Sequence, residues 1–390
     1  MQIIVHRGTH QIGGSATEIR TDNTRILIDF GAALPDGRGH TPDDALEIDG
    51  LNIGKPNFDG VFLTHYHADH LGLIGQIPAE IPVYMGRDAL DIFSVYADRV
   101  NSGLNKAAEH IRDLEALQPL KVGDLTVTPI PADHSAYGAF MYLVDGEGKR
   151  ILHTGDFRLH GFRSKATPKL LARYAADVDV LMIEGTQLSR RGPGGLSERE
   201  LQERFIQEIR THKYVFALCA STHIDRLASL YHATPRGRYF LCDDYQKRLL
   251  KRVAENTGSR WYQFQKALIY GENLDLQNRG FVMPVRANKA FSLIVSRWPE
   301  AILIYSMWDG YLDGRSPVLS DFAAPFAEMG RLRKLHSSGH AQPRDLLQIC
   351  EWIRPRIGII PIHTEHREGL GAMTPSCPIL YLDDREVFTL

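Results

Sequence analysis

The sequence predicts a two-lobed α/β protein in which the second lobe interrupts the first. Three observations carry this. Short β-rich runs alternate with turns up to residue 186, several of them carry an ionisable side chain at the C-terminal end, and this pattern stops near residue 193 and resumes near 338. At 390 residues, 43% hydrophobic and 24% charged, the chain is too long for one simple core and has an ordinary soluble balance.

The runs QIIV (2–5), TRILIDFG (24–31) and GVFLTH (60–65) are short and apolar, as buried strands are. LTVTPIPADH (125–134), AFMYLV (139–144), RILHTGD (150–156) and VDVLMIEGT (178–186) follow. His65, His134, Asp156 and Glu184 lie at the ends of such runs, which gathers them at one rim of a sheet. GTQLSRRGPGGLSERE then reads as a linker, with Ser197 and Glu200 forming a capping box that opens a helix. YVFALCAS (214–221), RYFLCDD (238–244) and EAILIYSM (300–307) read as buried strands and QKRLLKRVAEN (246–256) as a helix, so the middle is an α/β unit with a parallel sheet. From HSSGHA onward, through a helix opened by Pro343 and the run RIGIIPIHTEH, the polar-rimmed pattern returns. The expected organisation is 1–192 for the first part of one domain, 193–337 for an inserted domain, and 338–390 for the return.

Net charge is −2, but residues 193–337 hold 21 Lys and Arg against 15 Asp and Glu, while the rest hold 24 against 32. The clusters Lys247, Arg248, Lys251, Arg252 and Arg331, Arg333, Lys334 are candidates for tracking phosphates, although the commoner role of such runs is a solvated helix face. The four cysteines form no C-x-x-C pair, and the N-terminal MQIIVHRGTH has no apolar signal region, so a cytoplasmic, reducing location is expected. No stretch approaches the roughly 20 apolar residues of a membrane span, and no membrane partner is expected.

The densest chemistry is in THYHADHLG, residues 64–72. In an extended loop His65 and His67 point the same way, while Asp69 and His70 begin the helix that follows. One loop can thus serve two adjacent metal ions. Histidine and carboxylate donors without thiolate suit Zn²⁺, with Mn²⁺ as the alternative, and two such ions about 3.5–4 Å apart suit hydrolysis.

HYHADHLG resembles the H-x-H-x-D-H signature of the metallo-β-lactamase superfamily, LIDFG with Asp29 its first motif, ADHS with His134 its third, and TGDFR with Asp156 its fourth. The resemblance implies an αββα sandwich with a dinuclear site at one edge. It makes His65, His67 and His134 ligands of one metal, Asp69 and His70 of the other, with Asp156 bridging. EGT (184–186), SGHA (338–341) and PIHTE (361–365) are similar to motifs A, B and C of the β-CASP nucleases, closest to the ribonuclease J group. That branch carries an inserted β-CASP domain between motifs A and B. The carry-over makes His363 the last ligand, His340 a phosphate-contacting general acid helped by Ser338, and Glu184 a carboxylate orienting His340. Asp29 reads as a carboxylate holding the metal loop, and His366 as a neighbour or solvent-facing residue. The other histidines, His153, His160 and His223 among them, show no ligand spacing. Because motif C falls shortly before Leu390, the C-terminal domain of ribonuclease J is expected to have no counterpart.

The expected activity is a metal-dependent phosphodiesterase acting on single-stranded RNA, exo- or endonucleolytic, with Asp69, Glu184 and His340 in the chemistry. A hydroxide bound by both metals attacks phosphorus in line, and His340 protonates the departing ribose oxygen. A DNA nuclease uses the same residues, and a carbonyl hydrolase such as a lactonase needs the same metals. RNA is the expected partner, with DNA as the alternative, and a homodimer stays open because the family's C-terminal domain is expected to have no counterpart.

Overall fold

The computed structural model describes residues 1–35, 46–100, 103–190, 195–271 and 273–390. The expected boundary between 192 and 193 lies outside the described residues.

Alternation of side chains along two sheets builds a sandwich. The first sheet runs, in spatial order, Val387–Thr389, Gln2–Arg7, Ala16–Arg20, Arg25–Ile28, Gly60–Leu63, Val83–Gly86 and Ile111–Leu114. The second runs Gly358–Ile362, Val180–Glu184, Lys149–His153, Phe140–Gly146, Leu125–Pro131 and Leu120–Val122. Ile26, Ile28 and Phe62 of the first meet Tyr142, Val144, Ile151 and Val180 of the second in one buried cluster. Their chain neighbours point outward, as a period of two requires. Leu27, Val61 and Leu63 join Ile92 and Phe93 of the helix Arg87–Val100. Leu152, Leu181 and Ile359 pack on Leu171, Leu346 and Ile349 of the helices Thr167–Tyr174 and Pro343–Ile353. Helix, sheet, sheet and helix layers result, which is the αββα arrangement the resemblance implies.

A third sheet, entirely parallel, is built from residues between the two outer runs of the second: Ala267–Ile269, Tyr239–Cys242, Phe281–Val285, Tyr214–Leu218, Ile302–Tyr305 and Leu332–Lys334. The expected capping box is present, with Ser197 opening the helix Glu198–Thr211. The strand Phe281–Val285 was not expected, because Pro284 argues against a central position. It is tolerated because Tyr239–Cys242 pairs only with Phe281 and Val282 on that side. Ala16–Arg20 was also missed, since Glu18 breaks its apolar run. Glu18 is buried against Arg25 at 3.0 Å and His6 at 2.9 Å, which holds its carboxyl down at about 2 against the cost of burial.

Between the sandwich and the third sheet lies a buried ion network. Arg158 donates to Asp133 at 2.9 Å, Glu198 at 2.7 Å and Asp225 at 2.7 Å, and Arg226 donates to Glu198 at 2.9 Å, all of them buried. The same guanidinium groups reach loop carbonyls, Arg226 that of Ser337 at 3.1 Å and Arg158 that of Ser338 at 3.4 Å. Removing one partner strands charge away from water. Glu198→Ala should therefore cost about 3–5 kcal/mol, read as a lower urea midpoint, whereas exposed Glu200→Ala should cost about 1 kcal/mol through its cap alone.

Candidate metal centre

The loop after the strand Gly60–Leu63 is shaped by Asp29, a residue with φ of 62°. Its carboxylate accepts from the Thr64 amide at 2.7 Å and hydroxyl at 2.9 Å, and from Nδ1 of His70 at 2.7 Å. Asp29 thus holds the loop. Gly31 lets the two segments touch, since a Cβ there would lie 1.7 Å from the Asp69 carbonyl oxygen.

Each of four imidazoles has its far nitrogen occupied. His134 Nδ1 donates to the Gly339 carbonyl at 2.7 Å, and His70 Nδ1 to Asp29. His65 Nδ1 lies 3.0 Å from the Thr64 hydroxyl, which itself donates to Asp29, and His363 Nδ1 lies 2.8 Å from that of Thr186. Such partners fix ring orientation and leave the other nitrogen lone pair turned inward. His65 Nε2 and His134 Nε2 approach His67 Nδ1 at 3.1 and 3.2 Å. Three nitrogens around a tetrahedral zinc with bonds of about 2.0–2.1 Å stand about 3.3 Å apart. Burial pushes His65 and His134 well below the usual imidazole range and His67 down to about 4, the neutral form a cation needs.

Beside this triad, His363 Nε2 lies 3.3 Å from Asp69 Oδ2, and His70 Nε2 lies 3.9 Å from it. Asp156 stands between the two groups, its Oδ2 at 3.2 Å from His70 Nε2, 3.8 Å from His65 Nε2 and 4.0 Å from His134 Nε2. Both Asp156 oxygens and His70 Nε2 are buried without a hydrogen-bond partner. Native structures seldom leave a carboxylate so. Burial opposes its charge, yet His363, His70 and His340 hold its pKa well below the usual value; burial likewise lowers His70, and Asp156, Asp29 and Asp69 override it. The negative charge that raises His70 is charge that divalent cations balance. The donor chemistry and the unpartnered atoms fit such ions, and the donors fall into groups whose ligand atoms lie within 4.8 Å of one another.

His340 sits over the cluster, with ring centroids 5.2 Å from His134 and 5.8 Å from His363. Its Nδ1 is 3.3 Å from Glu184 Oε2 and 3.5 Å from Asp156 Oδ2. Against burial, these carboxylates raise its pKa. Glu184 also accepts the amides of Phe157, Ala341 and Thr186, each at 3.2 Å. Ser338 Oγ accepts from Gln187 at 2.6 Å and from the His340 amide at 3.1 Å, so it shapes its own loop.

All ten expected residues, His65, His67, Asp69, His70, His134, Asp156, Glu184, Ser338, His340 and His363, therefore converge. His366 faces outward beside Glu368, with 54% of its side chain exposed. Among the histidines without ligand spacing, His160 holds the Ser338 carbonyl at 3.0 Å, and His153 accepts the Gly155 amide at 3.1 Å. The supporting Thr186 and Gln187 were missed because their segment reads as linker. A signal was available in Thr186, which is the last residue of the EGT motif.

Residues 24–250 match the beta-lactamase superfamily domain, and residues 329–370 match the Zn-dependent metallo-hydrolase RNA specificity domain. The chain belongs to the beta-lactamase superfamily. Within it, the chain stands with the ribonuclease J-like β-CASP proteins. It is 27% identical to a ribonuclease J of Helicobacter pylori over 154 residues, 39% of this chain and 22% of that protein. A Mycoplasma pneumoniae ribonuclease J is 23% identical over 414 residues, 94% of this chain and 68% of that one. The chain thus spans about a fifth of the first relative and two thirds of the second. A crystal structure of a protein of unknown function from Enterococcus faecalis shares the fold, with a TM-score of 0.81 at 22% identity over 100% of this chain and 99% of that chain. No described helix is long and apolar enough to cross a membrane.

If Asp156 serves both donor groups, Asp156→Ala should lower divalent metal content from about two ions per chain to one or fewer. Elemental analysis of protein purified without chelator reads this directly.

Proposed function

We propose that the chain is a metal-dependent phosphodiesterase that hydrolyses single-stranded RNA. The observation that carries this is His340, a protonatable imidazole with its Nδ1 3.3 Å from Glu184, above two converging groups of donors. In this reading His65, His67 and His134 hold one divalent ion and Asp69, His70 and His363 the other, with Asp156 shared. Zinc is the ion the donor set favours. Bound there, the two ions supply Lewis acidity towards the phosphoryl group and acidify the attacking water.

The protein's own side chains do the rest. Thr64, Asp29, Gly339 and Thr186 keep the histidine rings aimed. Against burial, Glu184 and Asp156 raise the His340 pKa from 3.3 and 3.5 Å away, and 22% of the His340 side chain remains exposed. Its Nε2 then hands a proton to the departing ribose oxygen. Similarity to ribonucleases J, and the match of 329–370 to an RNA specificity domain, favour RNA over DNA.

His340→Ala should retain metal and lose roughly 10²–10⁴-fold in RNA cleavage, the range for a positioned proton donor. The loss should shrink on a nitrophenyl phosphodiester, whose leaving group needs no proton. Full RNA cleavage by the variant would remove His340 from the chemistry, and faster cleavage of matched single-stranded DNA by the unmodified protein would reassign the substrate.

A further inference from the structure

Most of the basic clusters of the 193–337 segment are already paired. Arg248 meets Asp244 at 3.3 Å, Lys251 meets Glu255 at 3.7 Å, Arg333 meets Glu208 at 3.3 Å and Lys334 meets Asp309 at 3.7 Å. Two other arginines differ. Arg190 and Arg315 lie over the same indole, their guanidinium carbons 4.7 and 4.8 Å from the Trp308 ring centroid. Among the described residues neither guanidinium forms an ion pair or a side-chain hydrogen bond. Stacking on an aromatic face orients a guanidinium and leaves its N–H edge free.

The place of this group is set by its neighbours. Arg190 follows the turn in which Gln187 binds Ser338 at 2.6 Å, and its amide donates to the Gln187 carbonyl at 3.1 Å. Burial pushes the Arg190 pKa down while Glu184 and Glu365 pull it up, and Arg315 adds repulsion. Trp308 also meets Tyr311 edge-on at 5.4 Å, and Tyr311 is 36% exposed. The link to the metal centre runs through Ser338, which accepts from Gln187 and from the His340 amide at 3.1 Å. Gly310 lets the indole lie against the backbone, since a Cβ there would come within 2.4 Å of the ring.

We infer that Arg190 and Arg315, carried on Trp308, bind the phosphate of the nucleotide adjacent to the scissile bond, with Tyr311 offering a face to its base. The inference rests on the phosphodiesterase reading above and adds to it the side on which the strand leaves the metal centre. Two unpaired guanidiniums held over one ring concentrate positive charge, which a phosphate relieves by accepting charge-assisted hydrogen bonds. A half-exposed phenol suits any base, because every base has a stacking face.

The test compares a single-stranded RNA oligonucleotide with bis(4-nitrophenyl) phosphate, which has no second phosphate, using metal-loaded full-length protein. Arg190→Ala and Arg315→Ala should each lower the ratio of kcat/KM for RNA over that for the diester by about tenfold, the loss of one charge-assisted contact. Arg315→Lys should recover part of that loss and Arg315→Glu should deepen it. Each alanine variant should also flatten the dependence of log K on log salt by about 0.7, the change expected per phosphate contact on a single strand. Lys251→Ala, in a paired cluster, serves as the control and should leave ratio and slope alone. An unchanged ratio in both arginine variants, or equal loss on both substrates, would overturn the subsite while leaving the RNA reading intact. Failure of the unmodified protein to cleave RNA while it cleaves the diester would overturn the RNA reading, and with it the subsite.

Discussion

The architecture around the metal centre depends on one buried carboxylate. Asp156 lies inside the protein with neither oxygen hydrogen-bonded, 3.2–4.0 Å from nitrogens of His70, His65 and His134. In a low dielectric such a charge is costly unless positive charge gathers round it. Histidines from both sheets and from the returning strand do gather there, and His65, His70, His134 and His363 are kept in place by a neutral or anionic partner on the far side of the ring. The centre is thus a balance of charge assembled by rigid strands, with its selectivity written into which nitrogen each ring turns inward.

Two kinds of arginine perform different tasks in this chain. Arg158 and Arg226 are sealed among Asp133, Glu198 and Asp225 and hold the carbonyls of Ser337 and Ser338. They tie the third sheet to the loop that carries His340. Arg190 and Arg315 lie over an aromatic ring with their polar edges unspent. Net charge cannot tell these roles apart, and neither can the count of basic residues in a segment. Only the identity of each partner does so.

This is also where reading the sequence reached its limit. The apolar runs closing on His65, His134, Asp156 and Glu184 announced a polar rim, because strands deliver their last residues to one edge. The H-x-H-x-D-H spacing made the metal loop legible, and the motifs in SGHA and PIHTE pointed to distant residues that share it. Pairings across more than a hundred residues were not legible. Nothing in GTQL marks Thr186 as a partner of His363, and nothing in QKRLLKRV shows that Arg252 reaches Asp91. The strand holding Pro284 was hidden for a related reason, since its tolerance depends on where the adjacent strand stops pairing.

The parallel pairing of Val180–Glu184 with Gly358–Ile362 has a consequence in time as well as space. Glu184 is register partner to Ile362, although the entire third sheet is synthesised between them. A growing chain on the ribosome therefore carries His65, His67, Asp69 and His70 long before it carries His363. Closing so long a loop is slow compared with forming local contacts. The donor set is completed only after the whole third sheet has been synthesised, so the metal centre is among the last parts of this fold to close.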